Sequence, residues 1–192
     1  MILASKSPRR KEILLGSGFS LEVIPAEILE ESKKIEIQDK IMDISYKKAI
    51  FIGKQYKDKY VLGADTVVLL DGELLGKPKD ELEAFSMLKK LSNKSHDVIT
   101  GYSLINIDKN IKILSYEKTR VYFRNLDDHT INWYISTKEP MDKAGAYGIQ
   151  GKGAFLVTKI QGDFFNVMGF PISNFIKKLE TIGVLVDQLY KL

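Results

Sequence analysis

Cysteine is absent from the 192 residues, which excludes disulfides, thiolate zinc sites and cysteine nucleophiles. Histidine is scarce. His96 and His129 are the only two and show no metal-ligand spacing, so neither a histidine metal centre nor a Ser-His-Asp triad is supported. His96, beside Asp97 at a strand start, reads as structural. No apolar run approaches bilayer-spanning length. The N-terminus is apolar only over residues 2–4 before Lys6 and has no signal-peptide core, so a cytoplasmic protein is expected. Excess charge is small: 29 Lys+Arg against 25 Asp+Glu, dispersed along the chain. That balance suits an anionic small molecule, or simply a lysine-rich surface, and is too weak for a nucleic-acid polymer. The aromatic residues fall at scattered periodic positions and form no RNP-like pattern. Repeats, low-complexity tracts and linkers are also missing, so 1–192 reads as a single domain, and a 44% apolar fraction is ample for its core.

What is present alternates between strand and helix signals. Residues 8–16 read as a short helix stopped by Gly16 or Gly18, and 19–24 as a strand ending at Pro25. An acidic loop over 26–34 precedes a long amphipathic helix over 36–53, whose apolar stripe is Ile37, Ile41, Ile44 and Ile52. A buried strand over 60–70 ends at the Asp71-Gly72 turn. Residues 80–91 read as a helix with Leu82, Phe85, Leu88 and Leu91 inward. Two long antiparallel strands follow over 96–105 and 111–123, then a helix over 129–136 capped by Asp127 or Asp128, with Ile131, Tyr134 and Ile135 inward. A glycine-rich loop over 138–151, a strand over 154–160, a helix opened by Pro171 and a short C-terminal helix complete the chain. This order predicts an α/β fold: a long twisted mixed sheet with flanking helices, in two lobes around a central cleft.

Several residues sit where a chemical reading stands beside a structural one. Ser5-Lys-Ser7-Pro8-Arg9-Arg10 joins a short strand to a helix start. It is either a serine cap with a solvated basic turn, or a phosphate grip built from helix N–H groups, hydroxyls and guanidiniums. Lys48 falls within an apolar helix stripe, either snorkelling to water or aimed inward as a cation. Asp65 interrupts a nearly continuous apolar strand, so it must be ion-paired, hold a metal or act as a base. Glu30 could join Asp65 in holding Mg²⁺, which takes one or two carboxylates plus phosphates and waters. Lys77 stands on a stiff turn between Gly76 and Pro78. The tract over 142–151 is dense in glycine, which lets backbone approach a ligand closely, and Gln150 offers a donor and an acceptor for a base edge.

In this order, these blocks resemble the Maf family of nucleoside triphosphate pyrophosphatases. The matching segments are 3–10, Lys48-Ala49, 63–68, Gly76-Lys77-Pro78, 96–101, 142–151 and 166–171, so the likeness spans nearly the whole chain. It implies an inosine triphosphate pyrophosphatase-like fold and metal-dependent hydrolysis of dTTP and UTP to the monophosphate and pyrophosphate, with Mg²⁺ or Mn²⁺ as cofactor. By that resemblance Asp65 is the proton acceptor, and Arg10, Thr66 and Gln150 match positions that set substrate preference. Ser5, Arg9, Glu30, Lys48, Lys77, Asp142 and Lys143 match polar positions lining the site. The resemblance is compatible with a homodimer, although no exposed apolar stripe demands one. Mild departures are Asn93 where the family has glycine, Ser45 where it has alanine, and Met168 and Phe170 near the end. A different class of function, a nucleotide-binding regulator of cell division without turnover, is disfavoured by the intact set Glu30, Lys48, Asp65 and Lys77.

Overall fold

Ser5, Lys6 and Ser7 interrupt the first apolar run, so strand β1 is only Ile2–Leu3 and the chain turns at once into helix α1, Pro8–Gly16. The computed structural model describes all of residues 1–192. Ser7 caps α1 by accepting the Arg10 N–H, and Pro8 occupies the first turn. Asp80 and Asp127 cap helices α3 (Glu81–Leu91) and α4 (Asp128–Ser136) in the same way. Each such cap contributes about 1 kcal/mol. Helix α2 spans Ile37–Gly53.

The remaining strands are β2 (Glu22–Val23), β3 (Val61–Leu70), β4 (Glu73–Leu75), β5 (Ser95–Asn106), β6 (Ile111–Phe123) and β7 (Val157–Gln161). They form one seven-stranded sheet in the order β2-β1-β3-β5-β6-β7, with β4 paired to β3. β1 runs parallel to β2 and β3, whereas β3/β4 and β6/β7 are antiparallel, so the sheet is mixed as expected. Helices α5 (Phe164–Met168) and α6 (Ile172–Glu180) and several 3-10 turns complete the chain. No helix is long and apolar enough to cross a membrane.

Two compact units emerge. The first comprises Met1–Asp65, Thr100–Glu117 and Gly169–Leu192. Its core includes Ile2, Ala4, Ala49, Ile52, Val61 and Ile105, together with the packed rings of Phe19, Tyr102, Phe170 and Phe175. The second comprises Thr66–Ile99 and Lys118–Met168, around Val68, Leu88, Leu91, Val121, Tyr134 and Leu156.

Four expectations need correction. Leu82 is 82% exposed; α3 instead buries Ala84, Met87, Leu88 and Leu91, because its inward stripe is rotated from the one the leucines suggest. The buried face of α2 is Ile41, Ser45, Lys48, Ala49 and Ile52, with Ile44 at its margin. The strand expected over 19–24 shrinks to two edge residues, and Phe19 packs on Phe175 instead of pairing in the sheet. Residues 151–156 form a 3-10 turn, so β7 begins three positions later than the apolar run implies. The departure at Asn93 has a direct explanation. Its φ of 57° lies in the left-handed region, where asparagine is among the few side chains tolerated in place of glycine.

Candidate functional site

In the first unit, Gly63 brings α2 against β3. A Cβ there would lie 2.1 Å from the Ser45 carbonyl oxygen and 2.8 Å from the Ala49 nitrogen, so only glycine allows this approach. Ser45 suits the contact because it is small, and its hydroxyl is satisfied by the Met42 carbonyl and Ser103 Oγ, both at 2.7 Å. Asp65 lies two residues after Gly63 on the same face of the strand, and Lys48 lies one helical turn after Ser45. The close approach therefore sets lysine against aspartate. Lys48 Nζ is 2.9 Å from both Asp65 Oδ1 and Glu30 Oε1. Lys48 is 8% exposed, so its ammonium does not snorkel to water; it is the inward-aimed cation.

Burial raises the Asp65 carboxyl above its ordinary value, and the Glu30 charge adds to the rise, while Lys48 and Arg10 oppose it. A carboxyl displaced upward by desolvation and held by a specific partner has the character of a tuned base. The two carboxylates that meet at Lys48 are also hard oxygen donors. No group of three or more His, Cys, Asp or Glu side chains gathers as a metal cluster, so any ion here would draw its other ligands from substrate and water.

The turn between β1 and α1 carries the serine cap that its sequence allows. Ser7 is the helix cap, whereas Ser5 and Arg10 face inward. Arg10 is 6% exposed; its Nε donates to the Gly169 carbonyl at 3.1 Å and its Nη1 to Ser5 Oγ at 2.5 Å. Burial lowers its pKa to about 10 and Asp65 opposes the shift, so the guanidinium stays charged at neutral pH. Arg9 is half-buried in the first turn of α1.

The other candidates belong to the second unit. Thr66 follows Asp65 directly and is half-buried. Lys77 is exposed on its turn, and the preceding Gly76 carbonyl accepts the Gly145 N–H at 2.9 Å, which ties that turn to the glycine-rich tract. Gly145 has a φ of 68° and its Cα packs against Val68 closely enough that a Cβ would crowd all three side-chain carbons of the valine. Lys143 Nζ donates to Asp142 Oδ1 at 2.6 Å and to the Glu139 carbonyl at 2.5 Å. Gln150 is exposed, in extended backbone just before the turn Gly151–Leu156.

His96 is structural in form, as its sequence context suggests. It is 2% exposed, and its Nε2 is 2.7 Å from the Tyr147 hydroxyl within the glycine-rich tract. The His96, Phe123 and Tyr147 rings meet edge to face. Burial lowers the histidine pKa to about 4, so it is neutral at physiological pH. Sequence reasoning missed Glu139 and Tyr134 altogether as parts of this region. Tyr134 showed only a core periodicity, and a glutamate before proline carries no signal of its own.

A family model described as Maf-like protein matches residues 1–182. The chain is 54% identical over 192 residues to a dTTP/UTP pyrophosphatase of Fusobacterium nucleatum, covering 100% of both chains. It is 49% identical over 172 residues to a dTTP/UTP pyrophosphatase of Pyrococcus abyssi, covering 90% of each. Among solved structures, a HAM1 protein from Coxiella burnetii aligns over 94% of this chain and 98% of its own, with a TM-score of 0.55 at 13% identity, a likeness of fold.

Proposed function

Because the chain belongs to the Maf-like family, we propose that it hydrolyses dTTP and UTP to the nucleoside monophosphate and pyrophosphate, acting in the cytoplasm on free nucleotides. The observation that carries this reading is Asp65, a carboxylate inside a buried strand, raised by desolvation and held in place by Lys48. The names of the relatives in Fusobacterium nucleatum and Pyrococcus abyssi supply the substrates.

Asp65 accepts a proton from a water whose oxygen bonds to the α-phosphorus. The bond from that phosphorus to the bridging oxygen breaks, and pyrophosphate leaves. Lys48 holds the carboxylate in its ionised form and fixes its direction. Arg9 and Lys77 neutralise phosphate oxygens. Arg10, locked to Ser5 and the Gly169 carbonyl, contributes a fixed positive charge with little freedom to lose on binding. Such preorganised charge supplies much of the rate enhancement in phosphoryl chemistry. Thr66 and Gln150 read the pyrimidine, with Asp142 and Lys143 flanking it.

Glu30 and Asp65 would hold a divalent cation as two hard carboxylate donors gathered beside Lys48, with phosphate and water supplying the remaining ligands. When bound, Mg²⁺ or Mn²⁺ would add Lewis-acid neutralisation of phosphate charge.

Pyrophosphate release across a nucleotide panel, with and without divalent cation, tests the reading. Asp65→Asn should lower kcat for dTTP by about 10²–10⁴-fold, the range for loss of a positioned base. Full activity in that variant would overturn the assignment.

A further inference from the structure

Residues 148–153, the span that presents Gln150, are held by a small hydrogen-bonded clamp. Tyr134, fully buried on α4, donates its hydroxyl to Glu139 Oε1 at 3.1 Å and accepts the Gly148 N–H at 3.0 Å. Glu139 Oε1 also accepts the Gly153 N–H at 3.1 Å, and its Oε2 accepts the Lys152 N–H at 3.0 Å. The backbone on both sides of Gln150 is thus tied to one tyrosine–glutamate pair. Hydrogen bonds to an ionised carboxylate are stronger than neutral ones, which favours a single loop conformation.

Two glycines of this span, Gly151 and Gly153, leave room for the clamp. A Cβ on Gly153 would sit 2.6 Å from the Tyr134 hydroxyl oxygen and 2.2 Å from the Gly148 carbonyl oxygen. A Cβ on Gly151, whose φ is 64°, would sit 3.0 Å from Glu139 Oε2. At these two positions glycine permits a close approach to Glu139, to Tyr134 and to the Gly148 carbonyl. Gln150 lies exposed between the tied ends, next to the exposed Gly151 and Lys152.

We infer that Glu139, with Tyr134, is a positioning residue for base selectivity: it fixes the backbone that presents Gln150 to the pyrimidine edge. This rests on the reading of Gln150 as a base-contacting residue. An amide discriminates uracil from cytosine only if its donor and acceptor are fixed relative to the ring. A mobile amide rotates to suit either edge.

The test uses the full chain and compares UTP with CTP, which differ at that edge. Glu139→Ala should raise KM for UTP by about tenfold while kcat stays within about threefold, the effect of losing charge-assisted hydrogen bonds away from the reacting atoms. Its UTP-over-CTP preference should fall to that of Gln150→Ala. The double variant should be no less selective than Gln150→Ala alone, because both changes remove one function. Glu139→Gln keeps an acceptor oxygen and should recover part of the preference. If Glu139→Ala does not fold, Tyr134→Phe removes a single hydroxyl. Amide hydrogen exchange at Gly148, Lys152 and Gly153 should then quicken by about tenfold or more. A folded variant that retains wild-type selectivity overturns the inference, as does one that loses kcat with selectivity unchanged. A wild-type chain with no UTP-over-CTP preference overturns the reading of Gln150 and the positioning role together, so the two failures are distinct.

Discussion

Replacing Lys48 with methionine keeps most of the side-chain volume and removes an ammonium that lies 2.9 Å from both Asp65 and Glu30. Asp65 is already raised by burial, with Lys48 as the largest opposing influence. Loss of this opposite charge lets the carboxyl rise further, because among the largest influences only Arg10 then opposes desolvation. Glu30, 57% exposed, adds little because water screens its half of the arrangement. The assay is the pH profile of kcat/KM for dTTP. Its acid limb should move to higher pH in Lys48→Met and stay near the wild-type position in Lys48→Arg. Stability provides a second readout with a definite sign. A carboxyl whose folded pKa exceeds its unfolded value stabilises the fold below the unfolded pKa, and that contribution is lost as pH rises toward the folded pKa. Urea unfolding should therefore show the smallest penalty for Lys48→Met near pH 4, growing toward neutral pH to about 3–5 kcal/mol, the cost of removing one partner of a buried pair, and then levelling off. An acid limb that does not move, with a stability difference that does not vary with pH, would refute the assignment of Lys48 as the partner that keeps Asp65 ionised.

Two further outcomes follow from the geometry. Gly63→Ala forces a Cβ into the backbone of α2, so it should destabilise by about 1–3 kcal/mol or more in urea unfolding and lower kcat through displacement of Lys48 from Asp65; near-wild-type values for both would contradict the close contact. Neutral buried His96 has its pKa lowered to about 4 against an ordinary 6.5, so the stability it contributes is fully present above pH 6.5 and is lost as pH falls toward 4. That loss is on the order of 3 kcal/mol, and a His96→Gln variant should show a correspondingly shallower acid dependence in unfolding titrations; parallel curves would refute it.

The parts of the fold that were legible in the sequence are those written locally. A serine before Pro8, and Asp127, announce helix starts, and Ser7 and Asp127 are caps; Asp80, placed inside its helix by the sequence pattern, is a cap as well. The Asp71-Gly72 turn closes the β3–β4 hairpin with φ values of 49° and 85°, although the three residues of β4 are too few to carry a period of their own. Lys48 and Asp65 were legible as anomalies because a charge within an apolar stripe or strand needs a partner, and each turned out to be part of the other's answer. The clamp at Glu139 was not legible. Its bonds run to backbone N–H groups 13 and 14 residues away and to a tyrosine whose spacing announces only burial. Glycine content gave no hint of it either: dense glycine lets backbone approach any group closely, and at Gly151 and Gly153 the groups approached include Glu139 and Tyr134.

Packing and chemistry in the first unit depend on the same residues. The contact of Gly63 with Ser45 and Ala49 determines how deeply α2 sinks onto β3, and it also determines how far Lys48 Nζ stands from Asp65. The serine that departs from the family's alanine adds a hydroxyl at this contact, yet its hydrogen bonds to Met42 and Ser103 satisfy it without lifting the helix. A substitution that thickens the contact must therefore separate the charged pair even though it touches neither charge. Once separated, the pair loses twice: Asp65 keeps its desolvation penalty, and the ammonium that offset it is gone. Small residues at positions 45, 49 and 63 for this reason set the spacing of the Lys48–Asp65 pair as much as they fill the core.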